Sequence, residues 1–176
     1  IYTLSLHDAL PILAYSLPAI PNEVADFLGE KYKDRAEKGR YLPTFKDGGG
    51  FAVGASFKAS IKYSMILFVE ASAYIGFDAA FLDSEGQSCE GYSQIGKNGF
   101  YGMGQAYMML KGKAGLELNL GFWKGQLDLI DAGLGAIIQA GGPQPTWAFG
   151  MLRFKCTCLG GTIKINTAVD FELGHT

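Results

Sequence analysis

From Gln105 to Leu120 the chain alternates without a break. Gln105, Tyr107, Met109, Lys111, Lys113, Gly115, Glu117 and Asn119 take one parity; Ala106, Met108, Leu110, Gly112, Ala114, Leu116, Leu118 and Leu120 take the other. A period of two sends successive side chains to opposite sides of an extended backbone, whereas a helix would scatter the same leucines around its circumference. The segment therefore has to be a long strand with one polar and one apolar face, and such a strand folds only beside others of its kind.

The remainder of the chain supplies them. Phe51, Val53, Ala55, Phe57, Ala59, Ile61 and Tyr63 alternate with Ala52, Gly54, Ser56, Lys58, Ser60 and Lys62. Over 67–82, Ala71, Ala73, Ile75, Phe77, Ala79 and Phe81 oppose Glu70, Ser72, Tyr74, Gly76 and Asp78. A Gly- and Ser-rich connection, 83–102, leads to the 105–120 strand. The next strand, 125–139, changes parity part-way: Leu127 and Leu129 share one, Ile130, Leu134 and Ile138 the other. A bulge near 131–133 is expected to absorb that switch. Gly141-Gly142-Pro143-Gln144-Pro145 reads as a turn. The strand 146–158 places Leu152, Phe154, Cys156 and Cys158 opposite Arg153 and Lys155. Gly160-Gly161 then makes a hairpin into 163–173, where Ile163, Ile165, Val169, Phe171 and Leu173 oppose Lys164, Asn166, Asp170 and Glu172. Strands in sequence, joined by turns without crossover helices, predict an antiparallel meander. The fold class expected is mainly β: a long-stranded antiparallel meander, curled or forming a partial barrel, with one N-terminal amphipathic helix.

That helix is predicted over 22–38. Asn22 is a plausible cap, Glu23 and Asp26 suit the first turn, and Val24, Phe27, Leu28 and Tyr32 form a stripe that ends before Gly39. Its remaining charges are of mixed sign and read as a solvated face. With 18% charged residues, 25 glycines and a net charge of −2, the composition suits a sheet with tight turns and gives no general attraction to nucleic acid. No run of about 18 apolar residues is present for a membrane-spanning helix.

Residues 2–12, Tyr-Thr-Leu-Ser-Leu-His-Asp-Ala-Leu-Pro-Ile, match the conceptual translation of a common sequencing-library adapter. The expected organisation is therefore 1–12 as adapter sequence, 13–47 as linker and helix, and 48–176 as a sheet domain belonging to a longer protein. His7-Asp8 is accordingly set aside as a catalytic pair, which leaves His175 as the remaining histidine. Ser-His-Asp, Cys-His and most zinc chemistries lose their central ligand or base. Gly48-Gly49-Gly50 precedes a strand, not a helix, so it is no phosphate loop. Asp83 with Glu85, and Asp128 with Asp131, are acidic pairs near turns and read first as solvated carboxylates. Cys156 and Cys158 sit one residue apart on one face, without the further Cys or His of a metal site. They read as buried small side chains or as one half of a disulfide; same-face neighbours in a strand rarely bond to each other, so a bridge, if one forms, is expected to join one of them to Cys89. No catalytic residue, metal or cofactor is expected.

An apolar face of this breadth must be covered. It can pack inward, against the helix and against itself by curling, or it can face lipid as the outside of an outer-membrane barrel. The 105–120 run would extend roughly 50 Å at about 3.3 Å per residue, twice the roughly 25 Å apolar band of such barrels. Tyr74 and Tyr107 also lie mid-strand on the polar face. Inward packing is therefore the expected arrangement, with an apolar groove formed by Phe77, Phe81, Leu110, Leu116, Leu118, Phe154, Ile165 and Phe171.

Several stretches together resemble the C-terminal region of large, uncharacterised envelope-associated proteins of Bacteroidota: GGGFAVGASF (48–57), CEGYSQIGKNGFYGMGQAY (89–107), KGQLDLIDAGLGAIIQAGGPQPTW (124–147) and LGGTIKINTAVDFELG (159–174). The resemblance implies a β-meander within a much longer exported protein of the cell envelope, and it brings no catalytic residues. The expectation is a non-enzymatic structural or interaction module whose partners are the rest of its own chain and other envelope proteins or lipid, not nucleic acid. The alternatives are a piece of an outer-membrane β-barrel and the non-catalytic part of an envelope hydrolase.

Overall fold

The computed structural model describes residues 2–11, 17–38, 50–85, 94–119 and 124–174. Seven strands form one antiparallel sheet in chain order: β1 (Tyr2–Pro11), β2 (Gly50–Ser64), β3 (Leu67–Asp83), β4 (Phe100–Asn119), β5 (Lys124–Gly142), β6 (Trp147–Cys158) and β7 (Ile163–Gly174). The outermost strands do not pair with each other, so the sheet is an open meander. Residues 2–11 extend along the edge of β2, with Leu4 opposite Phe57 and Leu6 opposite Ala55.

The alternation in the sequence becomes two sets of rows running across the strands. One row is Phe57, Ile75, Met108, Ala136, Leu152 and Val169; the neighbouring row is Lys58, Tyr74, Met109, Gly135, Arg153 and Ala168. The long connection is shorter than the sequence suggests, because β4 already begins at Phe100. The bulge also lies earlier than expected. Ala114 pairs with Ile130 and Gly115 with Asp128, which leaves Leu129 as the extra residue. That single insertion brings Leu127 onto the face of Ile130, so the face stays apolar across the parity change.

The expected single helix is two: α1 (Asn22–Leu28) and α2 (Glu30–Lys38). They meet at Gly29, whose φ of 89° lies in the left-handed region that glycine enters without a steric penalty. The amide of Gly29 bonds back to the Ala25 carbonyl at 2.9 Å, and Arg153 Nη1 donates to the Leu28 carbonyl at 2.7 Å. A cation thus sits at the carbonyl end of α1, where the helix dipole favours it.

The helices lie on the polar face of the sheet, which overturns the expectation that the apolar face would fold inward onto them. Val24 and Leu28 are fully buried and Phe27 and Tyr32 nearly so, packed into one core with Tyr101, Met103, Tyr107, Met109, Ile137, Phe149 and Met151. These sheet residues all belong to the polar parity. Its large side chains, the rings of Tyr and the flexible apolar chains of Met above all, give the helix stripe enough apolar surface to pack on.

Candidate functional site

The seat of the helices is built from glycine. A Cβ at Gly133 would stand 2.6 Å from the Phe27 ring, and one at Gly135 2.5 Å from it. Neither distance is possible between real atoms, so these positions are open because they lack side chains. Lys111 and Lys155 flank Gly133 in its row. Their ammonium groups stand 5.4 and 4.7 Å from the centre of the Phe27 ring, within the range at which a cation is held by an aromatic face. Phe27 is thus seated in a notch with a cation at either side.

A second row forms a polar ladder. Asp78, Gln105 and Gln139 are consecutive partners across β3, β4 and β5. Gln139 Nε2 donates to Gln105 Oε1 at 2.9 Å, and Gln105 Nε2 donates to Asp78 Oδ2 at 2.8 Å and to the Pro18 carbonyl at 2.7 Å. Asp78 and Gln105 are both buried, so these bonds replace water that the groups have lost. The ladder continues to Phe149, which carries the Arg35 guanidinium 4.1 Å above its ring, and to Glu172, which pairs with Arg35 at 2.6 Å. Lys31 with Asp170 at 2.6 Å and Glu23 with Lys58 at 2.8 Å hold the helices further out. The Lys58 ammonium bonded to Glu23 holds that carboxyl below its ordinary value. At the sheet's end, Trp147 Nε1 donates to the Tyr101 hydroxyl at 2.9 Å, which donates in turn to the Pro145 carbonyl at 3.0 Å.

Among the described residues, the opposite face carries no comparable structure. Phe77, Phe81, Leu110, Phe154, Ile165 and Phe171 are exposed, and Leu116 and Leu118 are half-buried. The eight residues expected to form a groove share this face, as their registers require. What they line is an open surface with two depressions of about 460 and 530 Å³. The first lies over Ala71, Ala73, Gly112 and Ala132 beside Phe154; the second lies between Phe57, Phe77 and Ile138. Small residues form the floors and aromatic or branched residues the ridges. From β2 to β7 the charged residues occupy the helix-facing rows, with Asp83 at the end of β3 as the exception.

The acidic pairs are engaged by other groups: the Glu85 amide donates to Asp83 Oδ1 at 3.0 Å. Asp128 is taken up by Lys113 at 2.9 Å, and Asp131 stands opposite Lys113 in the register, both on the helix-facing side. Among the described residues, no group of three or more His, Cys, Asp or Glu is placed to hold a metal ion. Cys89 and His175 lie outside the described residues. Cys156 and Cys158 are free thiols on the apolar side, with sulfurs 3.3 Å apart.

No protein-family model matches the chain, and neither a curated protein nor a solved structure does. The fold and its surfaces define the class: a mainly β protein built as one open antiparallel meander, with two short helices on its polar face and, behind, an apolar face left open by the described residues.

Proposed function

We propose that this chain is a non-enzymatic structural module of a large exported cell-envelope protein, a sheet wall whose apolar face is held against the acyl chains of lipid. The observation that carries the proposal is the separation of charge: six strands put their ionic groups on the helix side and leave the other side without charge except Asp83 at its edge.

Magnitude supports it. Six strands about 4.8 Å apart, with apolar runs of at least ten steps of about 3.3 Å, outline roughly 24 by 33 Å, or ~800 Å². The largest apolar patch on an ordinary monomer is about 300–600 Å². Covering ~800 Å² at about 25 cal/mol per Å² is worth roughly 20 kcal/mol, more than the whole stability of a typical domain at about 5–15 kcal/mol. Such a face has a permanent cover. A protein partner would bring a polar rim and hydrogen bonds, yet the rows here offer little to bond with beyond Thr167 and, at the edges, Tyr63 and Asp83, whereas hydrocarbon asks for none.

The test is to purify the full-length protein gently, extract it with organic solvent and identify what is released. Acyl lipid in stoichiometric amount, lost in a Leu110→Arg variant that still folds by circular dichroism, is the expected result. A lipid-free, monodisperse protein in plain buffer would overturn the proposal.

A second reading is an outer-membrane barrel sector, favoured by one observation: the polar rows and the helices share a side, as a lumen and its plug would. Against it, the Tyr101–Trp147 pair lies on the helix side and not in an outward aromatic girdle. In that case the full-length chain would need detergent to stay dispersed.

A further inference from the structure

We propose that Cys156 and Cys158 form a thiol–disulfide exchange site, a dithiol that closes on itself by reaction with a disulfide-bearing partner and opens again under mild reduction. This goes beyond the structural role and rests on the lipid reading in one respect: the end of the apolar face at Cys158, beside the turn, must lie outside the cover.

The pairing is imposed by β6. Residues two apart on a strand share a face, and the bond partners of both cysteines, Ala132 and Ile165 for Cys156 and Ile130 and Ile163 for Cys158, keep the strand extended on both sides. The sulfurs are brought to 3.3 Å, against about 2.05 Å in a disulfide. Closure therefore needs an approach of little more than 1 Å, within reach of small χ1 changes. The backbone resists going further. Two strand steps of about 3.3–3.4 Å separate the Cα atoms by about 6.7 Å, at the far edge of the roughly 4.4–6.8 Å that disulfides tolerate. A bridge closed across that span is strained, and strained bridges are the easily reduced ones.

Position gives access. Cys158 ends β6, directly before the exposed turn Leu159–Gly161, and both thiols are only half-buried. A metal is a poorer occupant. Zinc would need two more ligands, and no third His, Cys, Asp or Glu is placed to join a metal cluster among the described residues.

In the exchange, one cysteine thiolate attacks a sulfur of the partner's disulfide. That S–S bond breaks, one partner thiolate leaves, and a mixed disulfide remains. The second cysteine then attacks the sulfur of its neighbour in the mixed disulfide, forming the Cys156–Cys158 bond and expelling the second partner thiolate. The two cysteine protons end on the two released thiols. The cysteine pair is oxidised by two electrons and the partner's disulfide is reduced by two.

The experiment uses the full-length protein equilibrated in glutathione buffers of graded redox ratio, then quenched with an alkylating agent and digested with trypsin. The peptide Cys156–Lys164 carries both cysteines and no internal Lys or Arg, so an internal bridge shows as that peptide lighter by two hydrogens and unalkylated. The expected result is this species under oxidised glutathione, its disappearance in excess reduced glutathione, and its replacement by a stable glutathione adduct in Cys156→Ser and Cys158→Ser. Persistence of two alkylated thiols in oxidised glutathione, a bridge from either cysteine to Cys89, or a closed pair that excess reduced glutathione leaves intact would each overturn the proposal.

Discussion

Removing the Phe27 ring tests which face of the sheet the helices cover. Phe27 is 6% exposed over Gly133 and Gly135. Truncating a buried phenylalanine to alanine costs about 3–5 kcal/mol, and each lost ammonium–ring contact adds about 0.5–1 kcal/mol at most. The glycines cannot fill the vacancy, since they have no side chains to move into it, so Phe27→Ala should fall in the upper part of that range. Phe154 is the matched control. It stands opposite Leu134 in the register, between the rows of Gly133 and Gly135, but on the other face, and it is 40% exposed. Phe154→Ala should cost under about 2 kcal/mol, because a half-exposed ring has less burial to lose. The assay is guanidinium unfolding of the full-length protein in the medium in which it was purified, followed by circular dichroism. A lower midpoint at unchanged slope in Phe27→Ala is the expected outcome. A larger loss in Phe154→Ala than in Phe27→Ala would refute the arrangement and restore inward packing of the apolar face.

Three further outcomes follow from the helix-facing side. Gln105→Ala removes the amide that donates to both Asp78 and the Pro18 carbonyl, and should destabilise by about 1–3 kcal/mol in the same titration; an unchanged midpoint would mean that the ladder is not formed. Gly29→Ala forces a side chain into a left-handed backbone against the Arg153 guanidinium, and should cost about 1–2 kcal/mol from the backbone alone, visible as lost helical ellipticity. Because Lys58 lowers the Glu23 carboxyl, folding favours its deprotonated form. The stabilisation from this contact is present above the ordinary carboxylate value of 4.5 and fades as pH falls through the lowered folded value. Comparison with Glu23→Gln isolates it, since the variant's stability should lack that component of the acid slope; an identical slope would rule the contact out.

The cysteine pair and the helix break show two ways in which local sequence carries information that only geometry completes. Cys156 and Cys158 share a parity in any strand, but whether their sulfurs meet depends on rotamers set by neighbouring rows. Gly29 was visible within the apolar stripe of Val24, Phe27, Leu28 and Tyr32, and a stripe that continues across a glycine reads as one helix. At the break on that glycine, with its φ of 89°, the freed Leu28 carbonyl is taken up by the Arg153 guanidinium, brought there by β6, a strand more than a hundred residues away.

By itself the sequence determined the strands from β2 to β7, their antiparallel order and which residues share a face, because a two-residue period admits one extended solution and consecutive strands pair as neighbours; β1, in the stretch read as adapter sequence, was not among them. The parity switch in 125–139 was legible too, although the extra residue proved to be Leu129. What tertiary structure alone decided was which face the helices would cover. Hydrophobicity marked the face of Phe77 and Leu110, but the helix stripe needs a surface shaped to receive it. Gly133 and Gly135, flanked by Lys111 and Lys155, provide that surface on the polar side. Each of those residues was present in the sequence, yet their meaning as a notch for Phe27 exists only once three strands lie side by side.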